Sequence, residues 1–431
     1  LGDSVSVASE VGFTQPKAYS KIRLPHIHSW APVYFNYDNV ESVSGDDYYK
    51  TASLGATALF QNLLGTGYGM VGYGAHEDPY EDGKWRHSGH IKYCYTGLLP
   101  VFEISADFND RAAMDIQKIQ VSKEKMYRLY NKGTLTDKPY FEGGLKVYIP
   151  FNFSSGGINR GLIPQVKYKF TNDRYNDQIL FQHIVKKDGK DVTETYSTIG
   201  ENNISPLQTL DASIRGYVMR QKAPSQVFPS LGFGAELGFH FRPGHMKAYN
   251  PTAYLYTYGY LPGFTARQGL RLTASMEVWY GPYEEGGIME GALTAIPRGF
   301  VDTNLKSIIN SCSESRWRVT ADYAIPFADV DWSFLSPVAY VKNFELTPFF
   351  DWSYQTFSWN HELHYNPGAV MGENLFSVGA DLTVRLGNFF WLPYDTQIGI
   401  RYARNFWHYI DRFPIANLNK DYIGWIFSIN L

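Results

Sequence analysis

The chain has 431 residues, among them 33 Tyr, 28 Phe and 10 Trp, and its formal net charge is −3. Because there is no excess of Lys and Arg to meet phosphate groups, nucleic acid is excluded as the main partner. The mean hydropathy is −0.29, and no apolar run approaches the roughly 20 residues that a membrane helix needs. A membrane-spanning form of this chain would therefore have to use strands.

Apolar side chains alternate with glycine or polar side chains in residues 231–242, 270–278 and 376–386. A period of two is typical of strands whose two faces meet different surroundings. Extended along the chain, this pattern predicts about sixteen strands, near 31–37, 51–62, 65–76, 86–97, 100–110, 140–149, 162–172, 207–220, 229–242, 251–260, 268–280, 314–325, 344–355, 373–387, 394–404 and 421–431.

Alternation alone does not separate a soluble sandwich from a membrane barrel, but the lengths of the connections favour the barrel. If the first strand runs outward, the extracellular connections are long and polar: 111–139, 173–206, 281–313, 356–372 and 405–420. Most of the periplasmic ones are short: 63–64, 98–99, 221–228, 261–267 and 388–393. Two of them, 150–161 and 326–343, are longer than this rule predicts and count against the register.

The predicted fold is thus all-β, a closed antiparallel transmembrane β-barrel of about 16 strands with long extracellular loops. We assign residues 1–30 to a periplasmic lead-in and 31–431 to the barrel. The start of the chain shows no secretion signal, so we expect a mature, truncated or N-terminally incomplete chain. Residues 111–139 are compatible with a short surface helix or with a solvated loop.

Three segments carry a resemblance to a known family. They are Ile296-Pro297-Arg298-Gly299-Phe300, Asp322-Tyr323-Ala324-Ile325-Pro326-Phe327 and Pro348-Phe349-Phe350-Asp351-Trp352. Their order resembles the C-terminal part of the BamA-type outer-membrane assembly and secretion barrels, also called bacterial surface antigens. That family has sixteen strands, with the Arg-Gly-Phe motif in the loop between strands eleven and twelve, where the strand count above also puts it.

The first half of the chain, in residues 27–32, 61–64 and 97–102, is similar to barrels that follow TolB-like propellers in Bacteroidota outer-membrane proteins. The first resemblance implies a protein of the Gram-negative outer membrane that contacts lipid and inserts or translocates polypeptides or, in some branches, lipid. Family members normally carry periplasmic polypeptide-binding modules before the first strand and end in an aromatic residue, whereas this chain ends in Leu431.

The alternation puts Asp322 and Asp351 on the lumenal faces of neighbouring strands. A guanidinium offers a fixed fork of donors to a carboxylate, and a partly dry lumen strengthens such pairs. We therefore predict that the loop 281–313 folds into the lumen and that Arg298, within Arg298-Gly299-Phe300, docks on Asp322, Asp351 or both. The alternative is a surface turn and ordinary pore-lining acids.

A second candidate site is the seam where the last strand would pair with the first. Pro32 removes a hydrogen-bond donor next to Tyr34, and Gly424 weakens the last strand next to Ile426. This seam is predicted to be the least stable junction. It either opens sideways or stays permanently closed.

We expect no enzyme, cofactor or metal site. His87 and His90, and likewise His361 and His364, resemble fragments of metal motifs but lie in or beside predicted loops. A disulfide between Cys94 and Cys312 is an alternative for pinning the loop 281–313.

Two functional interpretations remain open. The chain either assists client outer-membrane or secreted polypeptides, or it is a passive channel or a structural anchor for a periplasmic domain, accessory lipoproteins or a surface partner.

Overall fold

The computed structural model describes residues 26–35, 52–78, 81, 83–115, 128–130, 134–172, 179–187, 190–197, 207–223, 225–243, 249–279, 288–289, 296–300, 315–357, 371–389, 395–408 and 419–430. Within these ranges no helix is long and apolar enough to cross a membrane.

The described elements are all strands. They are β1 His26–Phe35, β2 Ala52–Gln61, β3 Gly67–Glu77, β4 Trp85–Tyr95, β5 Val101–Asp115, β6 Arg128–Tyr130, β7 Thr134–Tyr148, β8 Phe151–Asn152, β9 Ile158–Thr171, β10 Ile179–Lys187, β11 Lys190–Ser197, β12 Leu207–Arg220, β13 Gly232–Phe241, β14 Tyr249–Asn250, β15 Thr252–Pro262, β16 Gly269–Trp279, β17 Ile288–Met289, β18 Ser315–Trp332, β19 Tyr340–Phe357, β20 Met371–Gly387, β21 Asp395–His408 and β22 Asp421–Asn430.

Seventeen of these strands form one antiparallel sheet. Sixteen of them have ten or more residues, and each pairs with the next long strand along the chain, from β1 to β22; the two-residue β8 pairs with β9. Two small sheets, β6–β10–β11 and β14–β17, stand apart. Each predicted strand overlaps one strand of the large sheet.

The structure corrects the two connections that seemed too long. β9 already begins at Ile158, and β18 does not end at Ile325, as predicted, but continues to Trp332. A register shift between Pro326 and Ala328 accompanies the proline, which has no N–H to donate to a regular ladder. Because the pattern breaks at this shift, the alternation hid the end of the strand. The short helix or loop predicted within 111–139 is wrong where the structure describes this segment, because residues 111–115 continue β5, 128–130 form β6 and 134–139 begin β7. The rest of the segment lies outside the described residues.

The sheet buries its polar face and exposes its apolar face. In β19 the side chains of Glu345, Thr347, Phe349, Asp351 and Ser353 are buried, whereas Leu346, Pro348 and Phe350 between them are exposed. β13 does the same, with Phe233 and Leu237 exposed and His240 buried. This is the reverse of a soluble sandwich, whose core lies between the apolar faces of two sheets.

The described pairings join β1 to β2 only and β22 to β21 only. Pairing between β1 and β22, and with it closure of the barrel, therefore remains a prediction.

Tyrosine rings on the buried face fill the space above glycines of the neighbouring strand. Tyr254 and Tyr258 of β15 are paired with Gly238 and Gly234 of β13, and a Cβ at either glycine would overlap the facing ring. The Tyr254 hydroxyl also donates to Glu236, at 2.8 Å. These contacts fix the register of the two strands from within.

Replacing Gly238 by alanine should lower the free energy of unfolding by about 1–3 kcal/mol, because the added methyl displaces the buried Tyr254 ring. Urea unfolding in detergent micelles measures this. Gly216→Ala is the matched control: a Cβ there meets only Leu162, at an ordinary 3.6 Å, so this variant should be neutral or more stable. Equal losses in the two variants would contradict the packing role of Tyr254.

Candidate functional site

Two buried carboxylates lie on adjacent strands at the centre of the candidate site. Asp351 of β19 is directly opposite Thr320 of β18, and Asp322 lies two residues further along β18. Asp351 is 0% exposed and Asp322 is 1% exposed. Charged groups removed from water in this way need matched partners, since an unpaired buried charge is strongly destabilising.

Arg298 supplies that partner from the connection between β16 and β18. Its Nε donates to Asp351 Oδ2 at 2.9 Å and its Nη2 to Asp351 Oδ1 at 2.6 Å, a two-pronged contact. Its backbone N–H also donates to Asp351 Oδ2, at 2.8 Å. The same Nη2 lies 2.6 Å from Asp322 Oδ1 as an ion pair. Arg298 thus contacts both acids.

An aromatic ring completes the arginine site. The guanidinium carbon of Arg298 lies 4.1 Å from the centre of the Phe349 ring, which is buried on β19. The ring face attracts the cation and leaves the donor edge of the guanidinium to the carboxylates. A lysine in place of Arg298 would lack both the planar stacking and the fork.

Two further arginines belong to the wall itself. Arg271 of β16 donates to Asp322 Oδ2 from Nε and Nη2, at 3.0 and 2.9 Å. Arg318 of β18 donates to Asp351 Oδ2 at 3.4 Å. Each acid therefore has one cation fixed in the sheet and shares a second, Arg298, which comes from the loop.

We call residues 296–300 the latch segment. Its turn is closed by the Phe300 N–H donating to Pro297 O, at 3.0 Å, and Ile296 and Phe300 are buried. The Gly299 carbonyl accepts from Asn405 Nδ2 at 2.8 Å, and the Phe300 ring meets Trp407 edge-on. A Cβ at Gly299 would overlap Asn405, Ser377 and Ala403, so the fit to β20 and β21 requires glycine.

The latch segment thus crosses the buried face of several strands, with its charge on β18 and β19 and its apolar end on β21. Sequence reasoning named Arg298, Gly299, Phe300, Asp322 and Asp351, and the structure brings these five together. It did not name Asn405, Trp407 or the role of Phe349. Alternation of polar and apolar residues also places Arg318 on the lumenal face, but it does not indicate that Arg318 pairs with Asp351.

The four seam residues lie on β1 and β22, which are not joined in the described pairings. Pro32 is exposed and sits at a register shift between Ala31 and Val33. Tyr34 turns inward and stacks on His90 of β4, with ring centres 3.9 Å apart. Gly424 and Ile426 are partly exposed on β22.

His87 and His90 lie within β4, not in a loop. His87 is exposed, whereas His90 forms part of a buried polar network. His90 Nδ1 lies 2.7 Å from Asp107 Oδ1, and its Nε2 lies 2.8 Å from Ser88 Oγ. Among the described residues no group of three or more His, Cys, Asp or Glu side chains could hold a metal ion. Cys94 is a buried free thiol. His361, His364 and Cys312 lie outside the described residues.

No protein-family model matches the chain, and no curated protein sequence matches it. Among solved structures it is similar to BamA from Haemophilus ducreyi lacking POTRA domains 1–3, with a TM-score of 0.41 and 10% identity over 90% of this chain and 68% of that chain. It is also similar to OccK10 (OpdN) from Pseudomonas aeruginosa, with a TM-score of 0.34 and 12% identity over 94% of this chain and 99% of that chain. At these scores the similarities carry no functional inference.

The contact between Arg298 and Asp351 should appear as a coupling energy. Arg298→Ala and Asp351→Ala should together cost about 1–3 kcal/mol less than the sum of the two single variants, because each alone already breaks the contact. Urea unfolding of the four proteins of the cycle measures the coupling.

The matched cycle combines Arg298→Ala with Glu142→Ala. Glu142 pairs with Lys169, on strands that the latch segment does not contact, so these two effects should add. Additivity in both cycles would contradict the latch.

Proposed function

We propose that the chain forms a closed β-barrel in the outer membrane of a Gram-negative bacterium, with the latch segment held inside the lumen. We further propose that it assists the insertion or translocation of polypeptides, or of lipid, at that membrane. The proposal rests on the reversed sheet, whose buried face is charged and whose exposed face is apolar. Two buried acids on the charged face bind the latch segment, which belongs to a long connection.

The exposed apolar face supports a lipid environment. Val71, Ile104, Leu237 and Leu382 are each close to half exposed and lie on β3, β5, β13 and β20, which are spread along the sheet. Soluble monomers rarely expose contiguous apolar patches larger than a few hundred Å². A bilayer removes the free-energy cost of exposing apolar side chains to water. A closed sheet also pairs its backbone N–H and C=O groups, for which lipid offers no hydrogen-bond partners.

Curling of the sheet is supported by Lys222, in the connection between β12 and β13. Lys222 is exposed, and its pKa is lowered by desolvation from the surrounding protein and next by the Arg385 guanidinium of β20. β12 is the eighth long strand and β20 the fourteenth. Because β12 and β20 are far apart in the order of the strands, Lys222 and Arg385 interact only if the sheet curls around a common interior.

The charge arrangement favours a latch that can be released. When Arg298 leaves, Asp322 keeps Arg271 and Asp351 keeps Arg318, so neither acid is left bare in the wall. Complete loss of a partner for a buried charge costs several kcal/mol. The wall arginines reduce that cost and make withdrawal of the latch segment feasible, as a moving plug requires.

The two end strands support a seam that parts. β1 has register shifts between Ile27 and Ser29 and between Ala31 and Val33, and Pro32 has no N–H to donate. Since β1 is irregular in its ladder with β2 and Pro32 lacks a donor, we place the opening of the wall on the other side of β1, at its junction with β22. Polypeptide or lipid would pass from the lumen to the bilayer here.

Replacing Leu237 by arginine tests the membrane. In lipid vesicles the variant should lose about 2–4 kcal/mol of unfolding free energy, the cost of a cation on the lipid face near mid-bilayer. Leu237→Ala controls for the lost side chain. If water covered this face, the same arginine would change stability by no more than about 0.5 kcal/mol, and that result would overturn the barrel.

A disulfide across the seam tests the function. In a Cys94→Ser, Cys312→Ser background, cysteine at Val33 is combined with cysteines along 422–427. The locked protein in vesicles should lose its acceleration of the folding of an added unfolded barrel client, and reduction should restore it. The matched control is a disulfide between Val33→Cys and Leu54→Cys, which face each other on β1 and β2. This disulfide does not restrain the seam.

Full activity with the seam locked would rule out lateral opening. Planar-bilayer recording separates the remaining alternatives. A steady open conductance that Arg298→Ala leaves unchanged, with no effect on the client, would identify a passive channel. No conductance and no effect on the client would identify a structural anchor.

A further inference from the structure

The short connections between strands carry large apolar side chains at their tips. Phe264, between β15 and β16, is 96% exposed; Phe334, between β18 and β19, is 70% exposed; and Leu99, between β4 and β5, is 69% exposed. Leu64 and Phe153, in two further short connections, are also exposed. A turn that ended in water would favour polar residues and would not need an aromatic ring.

The opposite end of the sheet has a different surface. On β7 the exposed residues run from Asp137 and Lys138, near the long connection, to Phe141 and Leu145, towards the short one. Lys420 is exposed beside another long connection, the one between β21 and β22. The apolar wall thus gives way to charged groups at one end, whereas at the other it continues into the turns.

The tips are distributed along the meander from the β2–β3 connection to the β18–β19 connection. In a curled sheet they therefore lie on different sides of one rim. A globular partner covers one sector of a rim, whereas a lipid leaflet surrounds it. Charged groups at the same rim, such as the ion pair of Arg267 with Asp329, suit the headgroup zone, where rings and charges are both accommodated.

We propose that the short-connection rim is an interaction surface for phospholipid, with Phe264, Phe334, Leu99, Leu64 and Phe153 inserted at the boundary between headgroups and acyl chains. This inference rests on the proposed function, because it requires a barrel in a bilayer. It adds that the turns carrying these five side chains do not project into the periplasm, whereas the polar β12–β13 connection stays in water.

Site-specific fluorescence tests the rim. Single cysteines replace Phe264 and Phe334 in the Cys94→Ser, Cys312→Ser background and are labelled with an environment-sensitive dye in phosphatidylcholine vesicles. Two controls accompany them: Leu237→Cys on the exposed wall and Ala223→Cys in the polar β12–β13 connection. Quenchers are lipids with a nitroxide at the headgroup, lipids with a nitroxide deep in the acyl chain, and aqueous iodide.

The dyes at 264 and 334 should lose most fluorescence with the headgroup nitroxide, the dye at 237 with the deep nitroxide, and the dye at 223 with iodide. If 237 responds to lipid but 264 and 334 respond only to iodide, the rim faces water and the inference is wrong, while the barrel stands. If 237 also responds only to iodide, the barrel itself is wrong.

Discussion

The carboxylate of Asp351 constrains much of what surrounds it. It has no contact with solvent and accepts from the side chain and main chain of Arg298 as well as from Arg318. An isolated carboxylate in that position would be prohibitively costly, so β18 and the connection before it must deliver cations to one point on β19. The pairing of β18 with β19 and the course of the latch segment both follow from this requirement.

The three arginines around the two acids have different mechanical roles. Arg271 and Arg318 are held by strands, so they move only with the wall. Arg298 is held by a connection whose other contacts are a hydrogen bond from Asn405 and the packing of Phe300 on Trp407. A segment bound through one arginine, one further hydrogen bond and a few apolar contacts can leave as a unit, and each of the two acids then still has an arginine of the wall beside it. These different roles of the three arginines are better suited to a plug that is released than to a permanent structural contact.

The two faces of the sheet follow different packing rules. Inside, polar networks and tyrosine rings over glycines fix the register without a conventional apolar core. Outside, branched and aromatic side chains are exposed, and large apolar side chains are also exposed at the tips of several short turns. Of the two ends of the meander, β1 has an irregular ladder with its neighbour β2, whereas the ladder of β22 with β21 is regular.

The sequence by itself located the sixteen long strands, their order and which residues share a face, because the period of two is a local property of an extended backbone. It missed the short strands β6, β8, β10, β11, β14 and β17, which lie in segments predicted as connections. It also singled out Arg298, Asp322 and Asp351 as a set, since an arginine on a long connection and two acids on the buried face are visible without coordinates. It failed at the end of β18, where the register shift after Pro326 interrupts the alternation that identified the strand.

Only the tertiary structure decided how charge is shared and what holds the glycine. Asn405 is 106 residues from Gly299 along the chain, and nothing in the local pattern of β21 distinguishes it from other polar residues on that face. The pairing of Arg271 with Asp322, and of Arg318 with Asp351, depends on strand register and side-chain direction. Those are set by the cooperative packing of the whole sheet, because a shift of one residue in any ladder would turn these groups to the other face.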